Sequence, residues 1–533
     1  MLELTPNQRR RLGVVREATP KVRRLAASFA DAGHEFYLVG GSVRDALMGR
    51  LGNDLDFTTS ARPDQIEALM RRVTPAIWDV GRAYGTIAGQ IVEGDGATWQ
   101  VEVTTFRADS YATDSRKPEV VFGDHLGEDL IRRDFTVNAM ALSMGGEPDV
   151  ELLDPFGGLA DLESRVLRTP AAPELSFSDD PLRMMRAARF VSQLGFRPDP
   201  DAVRAMTQMA SRLEIVSAER IRDELCKLLL GEHPREGLNL LVETGIADIV
   251  LPELPALRME RDEHNRHKDV YEHSLTVLEQ AIELEKARGH EPDIVVRLAA
   301  LLHDIGKPAT RRFEPGGKVS FHHHDVVGAK MATKRMQALR FPTDQTKAVA
   351  KLIELHLRFH GYGEQDWTDS AVRRYVRDAG DQLERLHILT RSDCTTRNAA
   401  KANRLRTAYE QLEWRIDELA AQEELDAMRP DLNGDQIMET LGIGPGRDVG
   451  AAYQFLLNRR IDDGPLGEDR AREILLDWWR TRQGNSDKTN SDKTVKGDAP
   501  PEPPRDPLSA PTKGDGTRIA DGDHEGKQTD ATR

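Results

Sequence analysis

Cysteine is nearly absent from this chain: 533 residues contain two, Cys226 and Cys394, far apart in sequence. Two thiols cannot build a disulfide framework, so a small stapled scaffold is excluded and the cytosol is the expected compartment. Aromatic residues make up only 5%. No run approaches the roughly 18 consecutive apolar residues that a bilayer crossing needs, so no membrane partner is expected. The opening stretch MLELTPNQRRRLGVVREATP lacks the apolar core and small-residue cleavage site of an export signal. No GxxxxGK[ST] occurs, which excludes a P-loop grip on phosphate. Positive charge is also in deficit, with 74 Lys and Arg against 89 Asp and Glu and a net charge of −15. That balance argues against sequence-independent wrapping of nucleic acid, DNA included, while leaving room for a local basic groove.

What is present is ample material for several cores. The chain is 39% hydrophobic and 31% charged, and its mean hydropathy of −0.54 suits a water-soluble, largely helical protein. At about 100–200 residues per domain the length allows three or four domains. Residues 1–32 read as one amphipathic helix with a basic cluster at Arg9, Arg10 and Arg11. Over 33–154 the texture becomes short β-rich runs, FYLVGG, NDLDFTT, AYGTIAGQIV and WQVEVTTF, alternating with helical stretches such as DQIEALMRRV. Residues 155–262 are helical by periodicity, in LRMMRAARFVSQLGF and AERIRDELCKLLLG. A third unit, 263–400, is helical and rich in histidine, and 401–484 is a further helical region. The segment 485–533 opens with the duplication NSDKTNSDKT and has no aromatic residue, so it is expected to be disordered. The fold class is therefore α+β, a small mixed-sheet head followed by an all-α remainder.

Two groups of residues carry chemistry. Asp54 and Asp56 lie in NDLDFTT, and residues i and i+2 of a strand project from one face, so both carboxylates can converge on one cation. Oxygen ligands of this kind suit Mg²⁺. Glu102, in QVEVTTF, can supply a third carboxylate from a neighbouring strand. Upstream, LVGGSVRDAL places Gly40 and Gly41 between a strand and a helix that carries Arg44. Side-chain-free backbone, helix N-terminal amides and a guanidinium together suit a triphosphate. Each piece alone has a bland explanation, a solvated strand edge or an ordinary turn. Their close succession gives them weight.

The second group is histidine-rich: His273 in VYEHSLTVL, His303-Asp304 in LLHDIGKP, His324 in HHHDVVGA, His356 in IELHLRFH and Asp393 in RSDC. Imidazole and carboxylate in combination suit a divalent transition metal. LGIGPGRDVG has no strand before it and a proline within it, so it reads as a turn between helices instead of a dinucleotide fingerprint. Cys226, on the apolar face of its helix, reads as core.

LVGGSVRDALMGRLGNDLDFTT, RRDFTVNAM (132–140), DPFGGLADL (154–162) and SDDPLRMMRAARF resemble the successive motifs of class II CCA tRNA nucleotidyltransferases. That family has a polymerase β-like head, shared with bacterial poly(A) polymerases. The resemblance is dense over about 33–260. It implies that Gly41 and Arg44 hold the triphosphate and that Asp54 and Asp56 hold Mg²⁺. Arg133, Asp134 and Asn138 would lie against the ribose and phosphates. DPFGGLADL would be a hinge between head and neck. Asp180, Arg183, Arg186 and Arg189, at three-residue steps, would share one helix face and bind nucleotide, although such a stripe by itself reads as a solvated basic face. Cytosine and adenine each offer an amine donor beside a ring-nitrogen acceptor, which one Asp and one Arg match; uracil and guanine do not. The histidine group resembles HD-domain metal-dependent phosphohydrolases. His273, His303, Asp304 and Asp393 match its signature, and His324 and His356 look like the extra ligands of two-metal members.

Three activities follow as expectations. The leading one is addition of CMP and AMP from CTP and ATP to tRNA 3′ ends, with a phosphohydrolase activity in the HD unit, possible on an RNA-terminal cyclic phosphate. The second is poly(A) addition to RNA 3′ ends, against which GRAYGTI, after the DxD strand, resembles the CCA-adding form. The third is an HD phosphohydrolase with a regulatory nucleotide-binding head. Division of C and A addition between two enzymes stays open, as does the oligomeric state.

Overall fold

The structure is a computed structural model that describes residues 3–18, 20–79, 81–94, 96–107, 122–144, 151–259, 270–315, 319–361, 367–395, 398–423 and 429–491. It has two compact units, 1–428 and 429–533. Among the described residues no helix is long and apolar enough to cross a membrane.

The N-terminal segment is two helices, α1 (Pro6–Ala18) and α2 (Pro20–Asp31), where one was expected. Pro20 opens the second because it has no N–H to donate and fits a first helical position. Nor is the segment separate. Leu12, Val15, Val22, Leu25 and Phe29 are buried in one cluster with Phe36, Leu38, Leu55 and Phe57 of the head.

The head is a mixed seven-stranded sheet in the order β3-β4-β5-β2-β1-β6-β7. Its strands are β1 (Phe36–Val39), β2 (Asp54–Thr59), β3 (Ile77–Trp78), β4 (Thr86–Val92), β5 (Thr98–Thr105), β6 (Ala141–Ser143) and β7 (Leu152–Leu153). Only β2 and β5 pair in parallel, and their register sets Asp56 opposite Glu102. Helices α3 (Gly41–Leu47), α4 (Pro63–Met70) and α5 (Leu126–Ile131) complete it. In β2 the alternation is complete where it matters: Leu55 and Phe57 are buried, Asp54 and Asp56 exposed.

The helical remainder of the first unit begins with α6 (Gly158–Ser164), α7 (Pro173–Asp179), α8 (Leu182–Leu194), α9 (Pro200–Met209), α10 (Ala218–Leu229), α11 (Pro234–Glu243) and α12 (Ile246–Val250), with a short pair β8 (Val166–Leu167) and β9 (Arg197–Pro198). It continues with α13 (Val270–Ala287), α14 (Ile294–Leu302), α15 (Lys307–Thr310), the hairpin β10 (Arg312–Phe313) and β11 (Val319–Ser320), α16 (His324–Ala338), α17 (Thr343–Leu355), α18 (Asp369–Ala379), α19 (Leu383–Ser392) and α20 (Ala399–Glu423). One apolar cluster runs from Phe135 through Leu228 and Leu301 to Leu419. Helix α20 therefore packs on the histidine-rich unit through Tyr409, Leu412 and Ile416. The break between compact units lies further on, at 428/429.

The second unit has its own small core, with Ile437, Leu456 and Leu475 from α21 (Gly434–Leu441), α22 (Arg447–Asp463) and α23 (Glu468–Ser491). LGIGPGRDVG supplies the turn from α21 into α22. The last helix reaches Ser491, seven residues into the segment expected to be disordered; the rest of that segment, 492–533, lies outside the described residues.

The stretch expected to be a hinge between head and neck is held by several hydrogen bonds and one close approach. Asp154 accepts hydrogen bonds from the amides of Gly158 and Leu159 at 2.6 and 2.9 Å. A Cβ on Gly158 would come within 2.1 Å of the Thr136 carbonyl oxygen. Thr136 Oγ1 donates to Asp161 at 2.5 Å, and Arg168 grips the same carboxylate.

Candidate active sites

The first site grows from the turn between β1 and α3. Gly40 has φ +70°, and a Cβ there would stand 3.2 Å from Arg133 Nη1 and 3.6 Å from Asp56 Oδ2. Glycine alone accommodates both the angle and the approach. Ser42, which the sequence reading passed over, ties the turn to β2: its Oγ donates to the Asp54 carbonyl and accepts from the Asp56 amide, both at 3.1 Å. Asp54, Asp56 and Glu102 thus share one open face. Loss of water among crowded protein atoms pushes the Asp56 carboxyl above its ordinary value, although solvent still reaches it; Arg133 opposes the rise and Asp54 adds to it. Glu102 is raised by the same loss of water, then by Asp56 and Asp54. Three mutually repelling carboxylates with oxygen-only donors fit Mg²⁺, which keeps water and phosphate oxygens in its shell.

Arg44 is buried beside Gly41. It donates to both oxygens of Asp45 at 3.0 and 2.8 Å and to Asn138 Oδ1 at 2.7 Å, and it lies over the Phe190 ring. Asn138 in turn donates to Asp134 at 2.9 Å. Arg186 reaches the other oxygen of Asp134, also at 2.9 Å. Burial would raise the Asp134 carboxyl, but Arg186 and Asn138 outweigh it and hold it far below its ordinary value. Asp134 and Asn138, expected against ribose and phosphate, are hydrogen-bonded to Arg186 and Arg44, and Asp134 also lines a cavity.

Arg133 and Arg132 share a buried partner that sequence reasoning missed. Asp129 Oδ2 accepts from Arg133 at 2.9 Å and Oδ1 lies 3.5 Å from Arg132. Burial would raise this carboxyl, yet Arg133 and Arg132, with the backbone N–H of Arg107, hold it low. Its spacing four residues before Arg133 on a helix was the signal available.

Of the expected stripe from 180 to 189, Asp180, Arg183 and Arg186 line one cavity and Arg189 does not. Asp180 precedes α8, with Pro181 between them, and it closes α7. Three-residue steps also drift by about 60° each on a 3.6-residue helix. Arg189 consequently turns inward, donating to Glu224 at 3.0 Å and stacking on Phe190. Burial, then Arg186, lowers its guanidinium to about 10. Arg183 is pinned through Nη1 to Ser176 O and Oγ at 3.2 and 2.8 Å, and through Nη2 to the Arg132 carbonyl. Helix α10 supplies two further residues, Arg220 to Asp180 at 2.9 Å and Glu224 to Arg186 and Arg189. Their i, i+4 spacing in AERIRDEL was the signal available.

Two cavities result. One, of about 250 Å³, is lined by Arg133, Asp134, Asp180, Arg183, Arg186 and Arg220. The other, of about 560 Å³, holds Asp56, Glu102, Thr86, Thr104, Arg107 and Arg132, and shares Arg133 and Arg186 with the first.

The second site gathers helix ends. His273 lies on α13, His303-Asp304 follow α14, His324 opens α16, His356 follows α17 and Asp393 follows α19. Two ligand groups form, His273 with His303 and Asp393, and Asp304 with His324 and His356. Asp304 joins them, with Oδ2 at 3.2 Å from His303 Nε2 and Oδ1 at 3.4 Å from His324 Nε2. His273 Nε2 is 3.0 Å from Asp393 Oδ1. The Nδ1 atoms of His303, His324 and His356 lie 2.8, 2.8 and 2.5 Å from the carbonyls of Ala300, Phe321 and Ile353. A carbonyl can only accept, so each Nδ1 carries a proton and each Nε2 faces the cluster. His356 Nε2 is buried with no hydrogen-bond partner among the described residues. Burial would lower His303, but Asp304 and Asp393 overcome it and raise it to about 10. Burial and the neighbouring His303 lower His356 to about 4. The cluster calls for positive charge, and its nitrogen and oxygen donors fit a pair of divalent transition metals.

Comparison with known proteins agrees with this layout. Residues 36–168 match the poly A polymerase head domain, 195–257 the probable RNA and SrmB-binding site of polymerase A, and 270–398 the HD domain. The A-adding tRNA nucleotidyltransferase of Deinococcus radiodurans is 34% identical over 463 residues, covering 84% of this chain and 96% of that protein. The CCA-adding enzyme of Bacillus subtilis is 44% identical over 233 residues, 44% of this chain and 54% of that enzyme. The crystal structure of the Bacillus stearothermophilus CCA-adding enzyme in complex with CTP superposes with a TM-score of 0.59 at 26% identity, covering 90% of this chain and all of that one. Identity sustained along so much of two chains reflects common descent: this chain belongs to the tRNA nucleotidyltransferase and poly(A) polymerase family and is a nucleotidyltransferase with an HD domain.

Proposed function

We propose that the chain adds CMP and AMP, from CTP and ATP, to the 3′ end of tRNA without a nucleic-acid template. The observation that carries this reading is the 250 Å³ cavity, lined both by Asp180, whose carboxylate is held by Arg220, and by Arg183, whose guanidinium is pinned. A fixed acceptor next to a fixed donor matches the Watson–Crick edges of cytosine and adenine and leaves uracil and guanine with unpaired groups. Arg183 has three guanidinium hydrogens committed to protein oxygens, so its plane cannot turn to suit another base.

Asp54 and Asp56 would hold Mg²⁺, which supplies charge for the phosphates and for the oxygens entering and leaving phosphorus. The amides after Gly40, with Arg44, hold the departing diphosphate. Glu102, opposite Asp56 in register, would take the proton of the attacking hydroxyl. The partners are tRNA, CTP and ATP in the cytosol, with no role for DNA or a membrane. Incubating the protein with tRNA lacking CCA, and with tRNA ending in CC, with each labelled nucleotide alone, tests this directly. CMP should enter the first and AMP the second. AMP addition to the CC end without any CMP incorporation would assign A-only addition, the reading favoured by the name of the Deinococcus relative. Repeated AMP addition to unstructured RNA would assign poly(A) synthesis.

The HD unit is a second active centre on this reading. His273, His303, Asp304 and Asp393 would hold one transition metal and His324 and His356, with Asp304, a second. Bound metal would supply activated water for attack on a phosphate ester. Metal analysis of the purified protein, with hydrolysis of a 2′,3′-cyclic nucleotide before and after chelation, tests it; hydrolysis unaffected by chelation would refute it.

A further inference from the structure

The larger cavity extends well past the carboxylates, and in-line geometry says what occupies the extension. Displacement at the α-phosphorus needs the attacking oxygen opposite the leaving diphosphate. The diphosphate grip, Gly40 to Arg44, lies on the β1 side of Asp56. Glu102 lies on the other side, on β5. The sheet face continues from Glu102 to Thr104, two residues along β5, and across to Thr86 of β4, its register partner. The two threonine hydroxyls are 2.9 Å apart, and Arg107 Nη2 donates to Thr86 Oγ1 at 3.3 Å. Asp129 fixes the backbone of Arg107 and the side chains of Arg132 and Arg133 at the same rim.

We infer that Thr86, Thr104 and Arg107 form the acceptor subsite, where the last nucleotide of the RNA is held with its 3′-oxygen between Glu102 and Asp56. Arg107 meets the phosphate on the 5′ side of that nucleotide, and the hydroxyl pair meets its ribose. The volume of about 560 Å³ falls within the range of small-ligand sites, about 300–1,000 Å³. Two nucleotides then flank Arg133: the incoming base in the smaller cavity and the acceptor in the larger. The reaction they frame is balanced. The 3′-oxygen bonds to the α-phosphorus, the bond from that phosphorus to the bridging oxygen breaks, pyrophosphate departs with the electron pair, and the hydroxyl proton passes to Glu102. The inference rests on the proposed placement of metal and triphosphate, and it predicts a separation of substrates that neither placement alone would give.

The test is steady-state kinetics of Arg107→Met and Thr86→Val, with wild-type melting temperatures as the criterion of folding. The acceptor is whichever RNA the wild type extends, tRNA lacking CCA first. Arg107→Met should raise the KM for acceptor about tenfold, the scale of one lost charge-assisted hydrogen bond, and leave the KM for ATP within about twofold. Thr86→Val should raise the acceptor KM about threefold, and Arg107→Lys should recover part of the loss. Should Arg107→Met not fold, the isosteric Thr86→Val decides alone. An unchanged acceptor KM, or equal rises for acceptor and ATP, overturns the subsite. Asp56→Ala, run alongside, separates the two levels: undiminished incorporation there refutes the placement of the metal whatever Arg107 does.

Discussion

The two candidate centres solve the problem of collecting negative charge in opposite ways. In the head, Asp54, Asp56 and Glu102 stand on an open sheet face, oxygen donors only, and two of the three are driven above their ordinary values. In the HD unit most of the donors are buried, His273 and Asp393 half-buried, with mixed nitrogen and oxygen, and three imidazoles are held by carbonyls one helical turn back. The first arrangement suits a cation that arrives with a triphosphate and leaves with pyrophosphate. The second suits ions that stay, because its geometry is set before they bind. The difference teaches that one chain can gather carboxylates either on an open strand face or at converging helix ends.

The hardest blow to the comparison would come at Asp56. Asp56→Ala should lower nucleotide incorporation about a thousandfold or more, since several kcal/mol of charge stabilisation depend on the metal. Its melting temperature should hold or rise, because one of three repelling carboxylates is gone, and hydrolysis by the HD centre should persist. Calorimetry and both assays on one preparation check this.

The reciprocal change is His303→Ala with Asp304→Ala. Bound transition metal and any phosphohydrolysis should disappear, while nucleotide addition stays within about twofold, as expected for independent sites. Elemental analysis and single-nucleotide incorporation decide; a parallel fall in addition, in folded protein, would show that the centres are one machine.

A smaller effect is expected at the template. Asp180→Ala should narrow the preference for CTP and ATP over UTP and GTP by about ten- to a hundredfold, the worth of one buried group left unpaired. All four nucleotides on one primer provide the measurement. Equal losses for all four would move Asp180 from selection to structure.

The smallest concerns the framework alone. Arg288, Arg391 and His387 converge on Glu413 Oε1 at 2.7, 2.8 and 3.2 Å. Burial would raise this carboxyl, but His387 and Arg288 overcome it and lower it to about 2. A depressed pKa contributes stability above the unfolded value and loses it as pH falls through the folded one. Glu413→Gln should therefore cost about 1–3 kcal/mol at pH 7. The difference from wild type should shrink between about pH 4.5 and 2, with addition at pH 7 unchanged. Thermal melts across that range test whether α20 is bound into the HD unit as its packing indicates.

What could be read from the residues followed locality. Asp54 and Asp56 share a face because strand periodicity is two, and that is visible in six residues. The pairing of Asp56 with Glu102 depends on which strands meet, a nonlocal choice that no short pattern reveals. The HD residues were legible as types in order, yet the carbonyls that orient them lie three residues back and carry no side-chain signature. Arg189 was misplaced by treating three-residue steps as one face. Arg220, Glu224 and Asp129 escaped notice because charged residues on helices usually face water. The seat of α20 was hidden for a related reason: an amphipathic pattern says that α20 has an apolar face, not which core receives it.

The joint at 154–168 has a further consequence. With Gly158 seated against the Thr136 carbonyl and Asp161 clasped from two sides, a side chain at 158 would have to displace Thr136. Thr136 stands two residues from both Asp134 and Asn138, so a change at the joint would reach the partners of Arg44 and Arg186 directly.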